Sequence, residues 1–281
     1  MPAESAPSAE RLRALVADLG TESADLDTML KPLDETHWRL PTPAVGWTIA
    51  DQVSHLAYFD ETAYTAATDP DRFRRELAEL VADGIDLPDR IAARYRGTPG
   101  HALLAWLRRA RSTLLDTFAA LDPSLRLPWY GPDMSVASSV TARIMETWAH
   151  GQDIADALGR TRPATNRLRH IAHLGVRTTG FAFAINGREP PTAPIRVELD
   201  APDGEIWTWG PAGAGNVVRG PAIDFCLVVT QRRHRDDARL TTLGPVADEW
   251  LRIAQAFAGP PGPGRAPGSS VSLGDDGAAS A

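Results

Sequence analysis

The sequence of 281 residues contains a single cysteine, Cys226, and a single lysine, Lys31. One cysteine excludes an intrachain disulfide, and its place in the apolar run 222–229 predicts a buried structural thiol. No apolar run reaches the roughly 18 residues that a membrane span requires. The N-terminus lacks the basic and apolar segments of a signal peptide. We therefore expect a cytoplasmic protein without a membrane partner.

The motifs of several common enzyme classes are absent as well. There is no G-x-S-x-G, no phosphate-binding loop, no G-x-G-x-x-G and no H-E-x-x-H. The 36 acidic residues outnumber the 29 basic ones, which gives a net charge of −7. Such a chain has no overall basic character that would hold a nucleic-acid backbone, so we expect no nucleic-acid partner. The sequence leaves the oligomeric state open.

The first two thirds of the chain have the periodicity of helices. Apolar residues at spacings of three and four predict helices over about 12–31, 49–67, 70–82, 100–121 and 135–158. Four of these are long, and their crossover connections indicate an antiparallel four-helix bundle. A fifth amphipathic helix is predicted over 166–185. Residues 1–8 are small and polar, and we expect them to be disordered.

The pattern changes after residue 190 to that of a small mixed region. Alternating apolar residues predict strands over 195–199, 206–209, 216–219 and 238–242. Helices are predicted over 221–232 and 245–257. The fold class that follows is α+β, with an all-helical part first. The rest of the chain, from Gly259, is rich in glycine and proline, and that composition predicts a disordered tail.

The candidate site consists of two segments that lie far apart in the sequence. Glu146 and His150 are four residues apart, so they share one helix face with Cβ atoms roughly 6 Å apart. His55, in the middle of an earlier helix, can supply a third ligand from across a bundle. Two imidazoles and one carboxylate are the ligand set of an open, catalytic type of divalent metal site. A glutamate and a histidine four residues apart on a helix are usually a solvated charge pair, and spacing alone favours that alternative.

Segments 46–55, Gly-Trp-Thr-Ile-Ala-Asp-Gln-Val-Ser-His, and 146–155, Glu-Thr-Trp-Ala-His-Gly-Gln-Asp-Ile-Ala, carry a wider pattern. They resemble the metal-binding segments of the mycothiol-dependent maleylpyruvate isomerase family, within the DinB/YfiT-like bundle superfamily. The resemblance implies that His55, Glu146 and His150 bind one divalent metal ion, usually zinc. It also implies that mycothiol is the co-substrate.

The resemblance covers about residues 10–160 and extends more loosely to 195–257. It implies a DinB-like metal-binding helical bundle over 9–160. A helix and a small SCP2-like α+β domain would occupy 161–258. The remaining residues, 259–281, are expected to form a disordered tail.

Two further residues match positions that carry chemistry in the family. Asp153 matches the aspartate of its H-G-x-D motif, and Arg232 matches an arginine thought to bind the acidic substrate or the thiol. Gln231 replaces the family's glycine before that arginine. We take Asp153 and Arg232 as candidate catalytic residues, although an ion pair and a helix-end cation are alternatives. Asp51 is a candidate hydrogen-bond partner of His55, or alternatively a helix cap.

The sequence thus predicts a divalent-metal-dependent enzyme that activates a low-molecular-weight thiol, with mycothiol as the expected one. The thiol would add to a small electrophilic substrate. Elimination after bond rotation would make the protein an isomerase, and retention of the adduct would make it a transferase. A hydrolase or lyase that uses water without a thiol is one alternative. A non-enzymatic metal- or ligand-binding module is another.

Overall fold

The computed structural model of the chain describes residues 5–82 and 87–268. Its α-helices are α1 (Ser5–Leu30), α2 (Glu35–Trp38), α3 (Ile49–Thr68), α4 (Pro70–Ala82), α5 (Leu87–Tyr95), α6 (Gly100–Ala119), α7 (Val136–Ala157), α8 (Leu168–Arg177), α9 (Thr179–Ile185), α10 (Ala222–Val229) and α11 (Pro245–Ile253). Its β-strands are β1 (Arg126–Leu127), β2 (Met134–Ser135), β3 (Ile195–Asp200), β4 (Ile206–Trp209), β5 (Asn216–Pro221) and β6 (Thr241–Leu243). A helical part therefore precedes a smaller α+β part, and the predicted fold class is confirmed.

The four long helices form a bundle. Helices α1 and α3 each pack against both α6 and α7. Buried apolar side chains fill the bundle in two clusters, one that includes Trp38 and Leu103 and one that includes Phe118 and Val140. Full burial of a large apolar side chain contributes about 1.5–3 kcal/mol. This packing holds α3 and α7, the two helices with candidate metal ligands, against each other.

Local sequence fixes where α3 and α7 begin and where α7 ends. The Thr48 hydroxyl accepts from the backbone N–H of Asp51, and the Asp51 carboxylate accepts from that of Thr48, as the predicted capping box requires. The Ser135 hydroxyl accepts from the backbone N–H of Ser138 and caps α7. Gly159 follows α7 with a φ of +63°, a conformation that glycine adopts without strain.

The first helix differs from its prediction at its N-terminal end. Helix α1 begins at Ser5, although the small polar residues 1–8 are expected to be disordered. Alanine and glutamate are good helix formers, and Ala6, Ala9 and Glu10 extend the helix toward the N-terminus. Residues 1–4 lie outside the described residues.

The predicted fifth helix over 166–185 is two helices, α8 and α9. They meet at Thr178, whose hydroxyl donates to the carbonyl oxygens of Leu174 at 3.0 Å and Gly175 at 3.1 Å. A hydroxyl that bonds back to the preceding turn competes with the helical backbone pattern. The apolar periodicity continues through this point, so the break is invisible in the pattern of apolar residues.

The larger sheet has the strand order β4-β3-β5-β6, in which β3 and β5 are parallel and the two outer pairs are antiparallel. Strand β6, which corresponds to the strand predicted over 238–242, starts at Thr241, three residues later than predicted. Helices α10 and α11 pack against β5, and α8 packs against α10. Cys226 is fully buried in α10, as predicted, and burial raises the pKa of its thiol.

Helix α7 contributes to both parts of the molecule. Val140 and Ile144 point into the bundle. Met145, Trp148 and Ala149 belong to the cluster formed with the sheet and with α8, α10 and α11. The helix that carries two candidate ligands is therefore held from both sides. No helix in the described ranges has the length and apolarity needed to cross a membrane.

Part of the glycine- and proline-rich tail has a defined path. The described segment 259–268 contains no helix or strand. The backbone N–H of Gly268 donates to the carboxylate of Asp237, and the Arg265 guanidinium donates to Asp153 on α7. Residues 269–281 of the same tail lie outside the described residues.

Candidate metal centre

Polar side chains form one stripe along α7. Arg143, Glu146, His150 and Asp153 follow one another at intervals of three, four and three residues, so they share one helix face. Arg143, His150 and Asp153 are buried, whereas Glu146 is partly exposed. Contacts from Glu146 and His150 to side chains of α3 show that the stripe faces that helix.

The two histidines and the glutamate predicted from the sequence come together on this face. Glu146 Oε2 lies 3.1 Å from His150 Nε2 and 3.4 Å from His55 Nε2. One potential ligand atom from each residue lies within 4.8 Å of the others. The rings of His55 and His150 are 4.3 Å apart, centre to centre. Two helices thus bring one carboxylate and two imidazoles to a single point.

These distances suit a small divalent ion. Zinc bonds of about 2.0–2.2 Å in a tetrahedral arrangement place ligand atoms roughly 3.3–3.6 Å apart. The separations of 3.1 and 3.4 Å around Glu146 are close to that value. Two nitrogen donors and one oxygen donor leave a fourth position for a thiol, a water molecule or a substrate. The residues present therefore fit an open, catalytic type of metal site.

Gln52, which the sequence analysis missed, completes the centre. Its amide oxygen is hydrogen-bonded to His150 Nδ1, and its amide nitrogen donates to the Thr42 hydroxyl at 2.9 Å. An Nδ1 that donates a proton leaves Nε2 with a lone pair for a metal. Gln52 precedes His55 by three residues on α3, and that spacing was the available signal. Among the described residues, His55 Nδ1 is buried without such an acceptor.

The electrostatics of the group favour the states that bind metals. Burial, together with the charge of His150, lowers the pKa of His55 to about 4. Burial alone would raise the pKa of Glu146, but hydrogen bonds from His150 and His55 hold that pKa well below its usual range. At neutral pH, His55 is therefore a neutral imidazole and Glu146 a carboxylate. These are the forms in which both groups coordinate a metal.

Replacement of Gln52 with alanine is expected to weaken metal binding by about 10- to 100-fold, because the ring of His150 would lose its orienting partner. Competition with a chromogenic chelator measures this affinity. Gln152→Ala is the matched control, since Gln152 donates to Asp156 on the same helix and has no contact with the three ligands. Equal affinities in the two variants would show that Gln52 does not support the centre.

The two candidate catalytic residues contact each other. Asp153 is fully buried, and its Oδ2 accepts from Arg232 Nη2 at 2.9 Å and from Arg232 Nε at 3.2 Å. Its other oxygen accepts from Arg265 of the tail. The structure thus pairs Asp153 with two arginines, while the imidazole of His150 is bonded to Gln52. Arg265 is a further residue that the sequence analysis missed.

Asp51, a candidate partner of His55, has another role in the structure. Both Thr48 donors, the backbone N–H and the hydroxyl, bond to Asp51 Oδ2 at 2.8 Å. Arg96 Nε lies 3.4 Å from the other oxygen. Asp51 therefore caps α3 and fixes the start of the helix that presents His55.

Comparison with known proteins identifies the family to which the chain belongs. Residues 19–155 match the family described as "Mycothiol maleylpyruvate isomerase N-terminal domain". An uncharacterized protein of Mycobacterium tuberculosis, in strains CDC 1551 / Oshkosh and ATCC 25618 / H37Rv, is 48% identical over 250 residues, which is 89% of this chain and 97% of that protein. The chain belongs to the mycothiol maleylpyruvate isomerase family. The matched range includes all three candidate ligands.

Solved structures show the same fold as this family member. The crystal structure of the mycothiol-dependent maleylpyruvate isomerase has a TM-score of 0.56 at 15% identity, over 82% of this chain and 92% of that chain. A mutant of that isomerase gives a TM-score of 0.55 with the same coverage. Residues 191–241, which contain β3, β4, β5 and α10, match a second family, described as "Wyosine base formation".

Aromatic rings surround the histidines of this family member. Trp47 lies 5.4 Å from the ring of His55 and 6.0 Å from that of His150, centre to centre. Phe59 lies 4.5 Å from His55 on α3. The Trp47 indole N–H donates to Asp89 at 2.6 Å, which fixes the ring at the start of α3. Such walls exclude water and strengthen the electrostatic interactions inside them.

Arg143 adds a positive charge beside the centre. Its guanidinium is buried, and its Nε and Nη2 have no hydrogen-bond acceptor within the described ranges. Asp60 lies 3.5 Å from Nε, but both oxygens of Asp60 accept from Arg111. The charge of Arg143 contributes to the lowered pKa of Glu146. Arg143, Arg111 and Asp60 together therefore carry a net positive charge. Arg143 lies one helical turn before Glu146 on α7.

Proposed function

We propose that this protein is a divalent-metal-dependent enzyme that activates a low-molecular-weight thiol, mycothiol, for addition to a small electrophile. The observation that carries the proposal is the convergence of His55, Glu146 and His150 on one point. Three protein ligands would leave a four-coordinate ion one position for another ligand. Family membership supports the choice of thiol, because the matching family is named for mycothiol. We propose zinc as the metal, since two imidazoles and one carboxylate are a typical zinc ligand set.

The side chains of this chain have separate tasks in the proposal. His55, Glu146 and His150 would hold the metal, and Gln52 would keep the ring of His150 in position. A divalent metal bound there lowers the pKa of a coordinating thiol and so supplies a thiolate at neutral pH. Trp47 and the other aromatic rings would exclude water from the reacting atoms.

Arg232 would bind an anionic group of the substrate or of the thiol. Asp153 engages Arg232 Nε and Nη2, and the Thr230 carbonyl accepts from Nη1 at 2.8 Å. A guanidinium carries five N–H donors, so two of them remain for a ligand. Asp153 would act through Arg232, since a buried carboxylate holds the guanidinium in a fixed orientation.

The thiol sulfur would form a bond to an electrophilic carbon, while the thiol proton goes to solvent. In a conjugated acceptor, the displaced π electrons move onto the neighbouring atoms. Expulsion of the same sulfur after bond rotation regenerates the thiol and gives an isomer. Retention of the carbon–sulfur bond, with a proton from solvent taken up by the displaced electron pair, gives a thioether and makes the protein a transferase. The fold accommodates both outcomes, so the substrate decides between them.

Calorimetric titration with mycothiol tests the proposal. Zinc-loaded protein is expected to bind the thiol, whereas metal-stripped protein and His150→Ala are expected to bind it at least about 100-fold more weakly, because loss of a ligand exceeds the loss of a supporting residue. His101→Ala is the control, since His101 is an exposed histidine outside the triad.

A panel of Michael acceptors and epoxides, with and without mycothiol, then identifies the reaction. Turnover that depends on the thiol supports the proposal, and the product distinguishes an isomerase from a transferase. Turnover without the thiol would assign the centre to hydrolysis or elimination. A zinc-loaded protein that binds no mycothiol and turns over nothing would leave a metal- or ligand-binding module.

A further inference from the structure

A polar cavity lies on the α+β part of the molecule. It has a volume of about 200 Å³ and lies between the end of α10, the end of α11 and the tail segment 261–265. One water molecule needs roughly 10–15 Å³ of such space, so the cavity has room for a small organic molecule. We name it the arginine cavity, after the four arginines that line it together with His234: Arg233, Arg235, Arg252 and Arg265.

The lining of the arginine cavity is positive. Among the described residues that line it, none is an aspartate or a glutamate. The carboxylates that neutralise its arginines lie behind them, and each is shared by two guanidinium groups. The shared carboxylates are Asp153 with Arg232 and Arg265, Asp224 with Arg233 and Arg239, and Asp248 with Arg235 and Arg252. Each of these three carboxylates serves two guanidinium groups, while Asp156 adds a negative charge near Arg233 and Arg265, and Asp236 lies 3.6 Å from His234.

Two of the lining arginines have buried donors that lack a partner. Arg235 Nη1 and Arg265 Nε are inaccessible to solvent and have no acceptor within the described part of the chain. The side chains of Arg235 and Arg265 are 15% and 16% exposed, so both charges are largely removed from water. A buried donor without an acceptor costs free energy. Both atoms lie beneath the accessible surface, so a ligand oxygen would accept from them only after the guanidinium groups turn toward the cavity. Burial also lowers the pKa of Arg265, the expected effect on a cation removed from water.

We propose that the arginine cavity is a binding site for a small oxyanion, a phosphate or carboxylate group carried by a small molecule. Guanidinium groups suit these ligands because their N–H donors match the geometry of two oxygens on one phosphorus or carbon atom. The tail forms one wall of the cavity, and its Arg265 also donates to Asp153 on α7. Occupancy of the cavity is therefore connected through Arg265 and Asp153 to Arg232. The site does not depend on the proposed thiol chemistry.

Titration of the full-length protein with inorganic phosphate and, separately, with citrate at constant ionic strength tests the proposal. At least one of the two anions is expected to bind saturably. Arg235→Gln and Arg265→Gln are each expected to weaken that binding by roughly tenfold to hundredfold, since a hydrogen bond to a charged group is lost. Arg219→Gln is the matched control, because Arg219 forms an exposed ion pair with Glu198 on the sheet, outside the cavity.

The use of two variants, and the comparison of zinc-loaded with metal-stripped protein, make the test decisive. Arg265 lies in a segment without helix or strand, so its replacement removes no element of the fold if Arg235→Gln proves unstable. The affinity is expected to be the same in zinc-loaded and metal-stripped protein. The proposal is overturned by the absence of saturable binding of both anions, by equal binding in Arg265→Gln and the control, or by binding that requires the metal. Preference for phosphate or for citrate identifies the anionic group.

Discussion

A Glu146→Gln variant is expected to lose its metal ion, and with it turnover. The substitution preserves the size of the side chain but removes the only negative charge among the three ligands. Histidine coordinates a metal as a neutral imidazole, so His55 and His150 would supply no negative charge, and a dication without a carboxylate ligand is held far less tightly. Loss of a residue that merely supports a ligand costs about 10- to 100-fold in affinity, so loss of the ligand charge should cost at least 100-fold.

Metal content after dialysis and activity at stoichiometric zinc measure the effect. Glu61→Gln is the matched control, because Glu61 lies on α3, carries the same charge and accepts a hydrogen bond from the Trp106 indole at 2.7 Å, outside the triad. Excess zinc is expected to restore part of the activity of Glu146→Gln, since both histidines remain. Stoichiometric zinc retained by Glu146→Gln after dialysis would contradict the assignment of this carboxylate as a ligand.

Replacement of Arg111 with methionine is expected to destabilise the fold by about 3–5 kcal/mol, because it leaves a buried carboxylate without its main partner. Asp60 is completely buried, and Arg111 is 4% exposed. Arg111 Nε and Nη2 donate to the two oxygens of Asp60 at 2.6 and 3.2 Å. Nη2 also donates to Thr147 on α7 at 3.0 Å, and Nη1 donates to Ser23 on α1. One guanidinium on α6 therefore joins all four helices of the bundle.

Urea denaturation followed by circular dichroism gives the free energy of unfolding for this comparison. The matched control is Arg108→Met, one turn earlier on α6. Arg108 forms a similar two-bond pair with Asp27, but both side chains are accessible to solvent. An exposed pair contributes about 0–1 kcal/mol. If the two variants lose the same stability, the buried pair contributes no more than the exposed one.

Helix α3 illustrates how much of the structure local sequence predicts. Thr48 and Asp51 predict its start, and the structure has the predicted capping box there. Its predicted end at residue 67 is one residue from the observed end. Such signals depend on a few neighbouring residues, so no knowledge of the tertiary fold is needed. The four long helices, and with them the bundle, were predictable for the same reason.

The prediction that His55 lies close to Glu146 and His150 is of a different kind. The spacing of Glu146 and His150 fixes their common face, but 91 residues separate His55 from Glu146, and spacing says nothing across that distance. The resemblance to a metal-binding family supplied this connection. Gln52 had only its spacing of three residues from His55, which places it on the same face of α3 but does not name His150 as its partner. Arg265, in a glycine-rich tail, carries no local signal. Their contacts arise only when distant segments pack together.

The position of the metal ligands on α7 has a consequence for how slowly a bound ion would exchange. Hydrogen exchange shows that proteins open in cooperative units, and an element that belongs to two packed clusters opens only when both loosen. Met145 and Trp148 bind α7 to the sheet, while Val140 and Ile144 bind it to the bundle. Local unfolding of only the bundle or only the α+β part therefore leaves Glu146 and His150 in place. Loss of an ion held by these residues would therefore not begin with local unfolding of α7.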